Sequence, residues 1–298
     1  MAFSLITGPF HGAIAVFDLD VGVIATLTGA ERSGVATPGV AAEMGRMDDS
    51  PVWSPDSGAL AFARSELATE EPATTLMRVE RAGGAPREIA RLGPPEPFIV
   101  AGAMHWLPDD TLLFAIYRSG PRKGQNGIWR IGTDGDDPRQ LTSEQESGEL
   151  GLRIVAVAPD GERASVYAGS RLASGVSQAD VYALLDTASG KLTPVSITAE
   201  EGALLPAALV GEIVAVSPPR FSPDGTTAIF AVGTPESDAS WLTFMDVGTG
   251  EQAMLGLMLY TSPVTSFQGF QWAANNTVLA ISQHDIPVLL TLERVGSA

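Results

Sequence analysis

The 298-residue chain contains no cysteine, which excludes disulfides, thiolate nucleophiles and Cys-ligated metals. Basic residues are scarce: 18 Lys plus Arg stand against 35 Asp plus Glu, a formal net charge of −17. A field of that sign repels phosphate backbones and anionic lipid, so nucleic acid and membrane surfaces are poor partners. The same acidity keeps a large β-protein soluble. Long apolar runs are missing too. The most apolar stretch, Ala203 to Val216, is too short to cross a bilayer and is interrupted by Pro206 and Glu212, so no membrane insertion by this chain is expected. The opening Met-Ala-Phe-Ser-Leu-Ile-Thr-Gly has no basic region ahead of an apolar one and reads as a strand, not as a signal peptide. There is no G-x-S-x-G nucleophile elbow, no βαβ stretch and no Gly-rich phosphate cradle. The three histidines, His11, His105 and His284, share no metal-ligand spacing, so neither a metal nor a cofactor is expected.

What the chain does have is punctuation: 32 Gly and 21 Pro beside only 7% aromatic residues. That composition suits many short strands separated by tight turns. Five times an aromatic or apolar strand runs into a turn built on Pro-Asp or its near equivalent. The copies are Val52-Trp53-Ser54-Pro55-Asp56-Ser57-Gly58, His105-Trp106-Leu107-Pro108-Asp109-Asp110, Ala156-Val157-Ala158-Pro159-Asp160-Gly161, Arg220-Phe221-Ser222-Pro223-Asp224-Gly225 and Gln271-Trp272-Ala273-Ala274-Asn275-Asn276. Their anchors, Trp53, Trp106, Val157, Phe221 and Trp272, stand 53, 51, 64 and 51 residues apart. Each anchor is followed by a second apolar strand, as over Thr111–Tyr117, and then by a third strand and an Asp/Gly turn such as Asp186-Thr-Ala-Ser-Gly190 or Asp246-Val-Gly-Thr-Gly250. An Asp that caps its own turn, with Gly at the left-handed position, is what a short antiparallel hairpin requires. A self-similar all-β unit of this length predicts a β-propeller of four-stranded antiparallel blades.

The chain thus reads as a single β-propeller domain over 1–298. Five anchors plus the N-terminal strands Ala2–Thr7, His11–Phe17 and Gly22–Thr28 favour six blades, with five as the alternative count. Pairing of N- and C-terminal strands would close the ring and remove two open sheet edges. The first-to-second and third-to-fourth turns are short. The other connections, among them Gly29–Ser50, Leu92–Met104, Ser196–Pro219 and Met254–Gly269, are long, and the face that they build is the expected binding face.

Trp53-Ser-Pro-Asp-Ser-Gly58, Phe221-Ser-Pro-Asp-Gly225 and Gly127-Ile-Trp-Arg-Ile-Gly-Thr-Asp-Gly135, with Arg139-Gln-Leu-Thr142, resemble the repeats of TolB-like propellers, which carry a WD40-like Pro-Asp repeat. They are similar as well to the propeller domains of prolyl oligopeptidase and dipeptidyl-peptidase enzymes. The resemblance covers nearly the whole chain and implies a periplasmic or extracellular binding platform. It identifies blades, not a site.

Two sets of residues are candidates for function. His105, Arg220 and Gln271 hold the same place, just before the anchor on an innermost strand, and could line one end of the channel. Phe98, Met254, Met258, Tyr260 and Phe267 fall on the long-loop face, where Met and aromatic side chains suit a protein partner. The run Thr133-Asp134-Gly135-Asp136-Asp137 has a spacing loosely like a calcium loop but lacks the closing bidentate Glu, and reads as a hairpin turn. The favoured function is a non-catalytic protein-binding or scaffold propeller, a domain or subunit of a larger assembly. The alternatives are a propeller hydrolase or lyase acting on carbohydrate or peptide in the central channel, and the gating propeller of a longer serine peptidase.

Overall fold

A computed structural model describes residues 2–8, 11–18, 22–28, 46–66, 73–91, 99–100, 103–117, 126–143, 152–168, 182–195, 214–215, 217–233, 239–260, 270–274, 277–281 and 287–291. Every regular element among these is a strand. They fall into two compact units, 1–147 with 151–154, and 148–150 with 155–298.

In the first unit, β1 (Ala2–Gly8), β2 (His11–Asp18) and β3 (Val23–Thr26) form an antiparallel set, with β2 in the middle. A four-stranded antiparallel set follows: β4 (Arg46–Trp53), β5 (Ala59–Glu66), β6 (Ala73–Glu80) and β7 (Arg87–Arg91). One parallel bridge, Gly12↔Met47, joins the two sets. Next come β8 (Ile99–Val100) and β9 (His105–Trp106), both paired to β10 (Thr111–Tyr117), then β11 (Gly127–Gly132) and β12 (Arg139–Gln140). Here the innermost strand is broken into two short pieces.

The remaining sets run in the order β13 (Leu152–Val157), β14 (Arg163–Ala168), β15 (Tyr182–Asp186) and β16 (Leu192–Pro194); then β17 (Val214–Ala215) with β18 (Arg220–Phe221), β19 (Thr227–Gly233), β20 (Ala239–Asp246) and β21 (Gln252–Tyr260). A three-stranded set of β22 (Phe270–Ala274), β23 (Thr277–Ile281) and β24 (Pro287–Thr291) completes the described chain. The all-β, four-stranded antiparallel organisation that the repeat predicts is therefore present, and all five anchors lie on first strands. No ladder among the described residues pairs N-terminal with C-terminal strands.

Four of the turns share one main-chain hydrogen bond, from Ser57, Asp110, Gly161 and Gly225 N–H to the carbonyls of Ser54, Leu107, Ala158 and Ser222, and the two Ser-Pro-Asp copies add a hydroxyl. Ser57 N–H donates to Ser54 O at 2.8 Å, Ser54 Oγ donates to Asp56 Oδ1 at 2.6 Å, and Gly58 N–H donates to the same oxygen at 2.9 Å. Ser222 and Asp224 repeat this, with Gly225 N–H on Ser222 O at 2.9 Å and Ser222 Oγ on Asp224 Oδ1 at 2.6 Å. The residue after the Asp is left-handed in four copies: Ser57, Asp110, Gly161 and Gly225, with φ of 58°, 63°, 77° and 73°. Glycine takes that conformation without penalty, whereas Ser and Asp do not.

The third-to-fourth hairpins at Asp186 and Asp246 also share one geometry. Asp186 Oδ1 accepts from Ser189 N–H and Asp246 Oδ1 from Thr249 N–H, with Gly190 and Gly250 at φ 78° and 77°. The structure adds a copy that sequence reading missed. Asp18 pairs with Val23 across Gly22, itself at φ 69°, and Thr28 Oγ1 accepts Ile14 N–H just as Thr142 Oγ1 accepts Ile128 N–H, both at 2.8 Å. These matches make β1, β2 and β3 the second, third and fourth strands of a blade.

Packing between neighbouring sets uses both faces of the second strand β5. On β5, Leu60 and Phe62 pack with Ile14, Met77 and Val79, whereas Ala59, Ala61 and Ala63 face the cluster of Trp106, Leu112, Phe114 and Ile116. Phe230 on β19 occupies the corresponding place against Leu184 and Val195. Small residues on one face and a buried Phe on the other set the spacing between sheets.

One ion pair lies inside this frame. Asp48 on β4 is 1% exposed and receives both Nε (2.7 Å) and one terminal nitrogen (2.9 Å) of Arg64 on β5. Breaking a buried pair leaves an uncompensated charge, so Asp48→Ala should lower unfolding stability by about 3 kcal/mol. The denaturant midpoint at constant slope checks this. A second expectation concerns Gly135, at φ 94°, where an added Cβ would stand 2.2 Å from the Ile89 carbonyl oxygen. Gly225→Ala meets only ordinary contacts, the nearest Pro159 Cδ at 3.5 Å. Gly225→Ala should therefore cost about 1–2 kcal/mol, from backbone conformation alone, and Gly135→Ala distinctly more. Equal losses in thermal melts of the two variants would contradict that reading.

Candidate functional site

The inner-strand positions before the anchors were the strongest candidates for chemistry. His105 is on β9, opposite Leu113 of β10. Its Nε2 is buried without a hydrogen-bond partner among the described residues, and burial pushes the imidazole down from 6.5 to about 4. It is therefore neutral near pH 7. No group of three His, Asp or Glu among the described residues could hold a metal ion. The next residue, Trp106, is committed to cohesion: its indole N–H donates to Asp110 Oδ1 at 2.8 Å and its ring lies 5.3 Å beneath the Arg78 guanidinium.

Arg220 belongs to the second unit. Its guanidinium donates to Val155 O on β13 at 3.2 Å, and its own carbonyl accepts the Trp272 indole N–H at 3.0 Å. Trp272 also meets Phe244 edge-on, with ring centroids 6.3 Å apart. Three successive first strands, β13, β18 and β22, are thus tied through one arginine and one tryptophan. Gln271 is on β22 opposite Leu279. His105 lies in one compact unit, Arg220 and Gln271 in the other.

The partner-face candidates divide differently. Phe98 and Phe267 lie outside the described residues. Met254, Met258 and Tyr260, expected on a long irregular loop, lie on β21, where they pair with Thr243, Trp241 and Ala239 of β20. The physical reason is the run Met254-Leu-Gly-Leu-Met-Leu-Tyr260, which carries no charge and no proline and extends the fourth strand to nine residues. Likewise β4 begins at Arg46, inside the expected loop Gly29–Ser50, and is kinked by an irregular register between Asp49 and Val52 with Ser50 at φ 54°. The acidic run 133–137 forms the hairpin turn expected of it, closed by Gly135 N–H to Gly132 O at 3.0 Å.

Two further electrostatic features lie outside the sequence-based candidates. The Ser54 hydroxyl and then the Gly58 N–H hold Asp56 below the usual carboxylate range, and the Ser222 hydroxyl and then the Thr226 N–H do the same for Asp224. Tyr182, packed on Tyr167 at 5.4 Å, is raised to about 12, chiefly by burial. The repeated hydroxyl-to-Asp hydrogen bond could have been read from Ser-Pro-Asp, since a serine two residues before an Asp is the local signal. The Tyr pair has no such signal.

No protein-family model matches the chain, and no curated protein matches it. Solved structures do. Prolyl oligopeptidase B from Galerina marginata, bound to a 35mer hydrolysis and macrocyclization substrate, superposes at TM-score 0.55 with 12% identity, over 97% of this chain and 40% of that one. The oligogalacturonate lyase of Vibrio parahaemolyticus gives 0.50 at 13% identity, over 97% and 73%. A puromycin-hydrolyzing peptidase of Mycobacterium tuberculosis gives 0.50 at 16%, over 97% and 42%. The chain spans about two fifths of either peptidase. At these identities the likeness shows the fold alone, a β-propeller.

The imidazole's shift sets a pH test. A histidine whose native pKa lies below its unfolded value contributes stability that is complete above the unfolded pKa near 6.5. That contribution is lost as the pH falls from there toward about 4. The contribution is on the order of 3 kcal/mol. Asp56 and Asp224, with lowered values, act only further down, below the ordinary 3.8. Urea midpoints should thus decline between pH 6.5 and 4 in the native protein and flatten in His105→Phe. Parallel curves for the two proteins would reject burial of a neutral imidazole.

Proposed function

We propose that the chain is a non-catalytic binding propeller, with six blades closed into one ring over 1–298, that handles a peptide or protein segment as part of a larger assembly. Support for six comes from the N-terminal set, which supplies second, third and fourth strands, beside five anchored sets. The observation that carries the functional reading is the use made of the inner-strand polar groups. Arg220 and Trp272 are consumed in joining first strands, and Trp106 in closing its own turn. Groups so engaged hold a frame and are not free to move protons. A frame of that kind suits rigid display, with Met254, Met258 and Tyr260 on the long uncharged β21 as the partner-facing candidates. The peptidase neighbours support a gating role beside a catalytic domain, because this chain matches about two fifths of each.

A second reading, propeller chemistry in the central depression, is favoured by the lyase, of which the chain covers 73%. It would place His105, with its unpartnered Nε2, at the substrate. The purified chain should bind a proline-containing peptide saturably in calorimetry, hydrolyse no peptide and leave oligogalacturonate intact. Release of unsaturated sugar ends from oligogalacturonate, abolished by His105→Ala, would replace the first reading with the second.

A further inference from the structure

The four-residue strand β3 differs from the other fourth strands in what it leaves open. All four of its side chains are exposed, and Val23 and Ile24, at 56% and 59%, are the large apolar side chains exposed among the described residues. Three of the other fourth strands are guarded: β7 carries Arg87, Glu88 and Arg91, with Ile89 buried, β12 carries Arg139, and β16 ends in Pro194, whereas β21, like β3, has neither charge nor proline. Charges and proline on an outer strand are the usual means of keeping other strands off it. Val23-Ile24-Ala25-Thr26 has neither.

The backbone of β3 is also aimed outward. Leu27 N–H donates to Ile14 O at 2.8 Å, and pairing continues through Val16↔Ala25 and Asp18↔Val23. In an antiparallel ladder hydrogen-bonded pairs alternate with non-bonded ones. Ala25 and Val23 therefore face β2, and the N–H and C=O groups of Ile24 and Thr26 face away from it. Among the described residues β3 pairs with β2 alone. Apolar side chains on both faces and two residues' worth of unpaired donors and acceptors along one edge make a template for an added strand.

We infer that the outer edge of β3 is a strand-addition site for an extended apolar peptide segment with basic flanks. The charge of the occupant follows from the host: β3 itself is neutral, but the chain carries 35 acidic against 18 basic residues, and Asp18 stands directly opposite the first residue of the strand. A cationic segment is drawn to that surface, whereas a second copy at −17 is repelled. This inference does not depend on the function proposed above.

The test titrates a labelled peptide, Lys-Lys-Val-Thr-Val-Thr-Val-Lys-Lys, into the full chain and follows anisotropy. Controls are the same peptide with its central valine replaced by proline, and the Ile24→Lys variant, whose fold is checked by thermal melting. The site predicts saturable one-to-one binding, weakened at least about tenfold by Ile24→Lys and by the proline peptide. Equal affinity for the two peptides would mean charge attraction without strand pairing and would overturn the inference. So would an unaffected Ile24→Lys, or no binding at all. Concentration-dependent dimerisation abolished by Ile24→Lys would assign the edge to a second copy instead. Should Ile24→Lys melt early, Ile24→Thr takes its place, with the same peptides deciding.

Discussion

Burial of the second strands β5, β10 and β19 on both faces is the constraint from which the rest follows. A strand such as β10, apolar from Leu112 through Ile116, cannot lie at a surface, so it must be roofed by another sheet on either side. The chain meets that demand by repetition. Alanines at 59, 61 and 63 let the following set come close, and Phe62, Phe114 and Phe230 each fill the gap toward the preceding one. A Phe→Ala change at such a site removes transfer energy and leaves a cavity.

Much of the fold was legible because its signals are local. Ser-Pro-Asp-Gly encodes a turn within five residues, and its hydroxyl–carboxylate bond is formed by neighbours in sequence. What escaped reading depends on distant partners or on a weaker form of the same signal. Asp18-Leu-Asp-Val-Gly22 was passed over because no anchored repeat precedes it. Asp48 and Arg64 are sixteen residues apart, and nothing in either neighbourhood announces a buried pair. The apolar Met254–Tyr260 run suggested a sticky loop, when uninterrupted apolarity with no turn residue but Gly256 is the mark of a strand.

The candidate site was less legible, for a related reason. Position in the repeat located His105, Arg220 and Gln271 on first strands correctly, but position says nothing about occupation. A guanidinium on an inner strand can meet a ligand or a neighbouring carbonyl, and Arg220 meets a carbonyl. The buried, neutral imidazole of His105 is a property of packing that only three dimensions reveal.

One small bond recurs without drawing on any side chain. The residue after each third strand donates its N–H to the carbonyl just before the second: Arg81 to Gly58, Thr133 to Asp110, Thr187 to Glu162 and Val247 to Thr226. Arginine, threonine and valine perform the same task because the link is main chain to main chain. Inheritance at these joints is thus of conformation rather than of residue identity. Amino acids there are free to vary from one blade to the next while the joint persists.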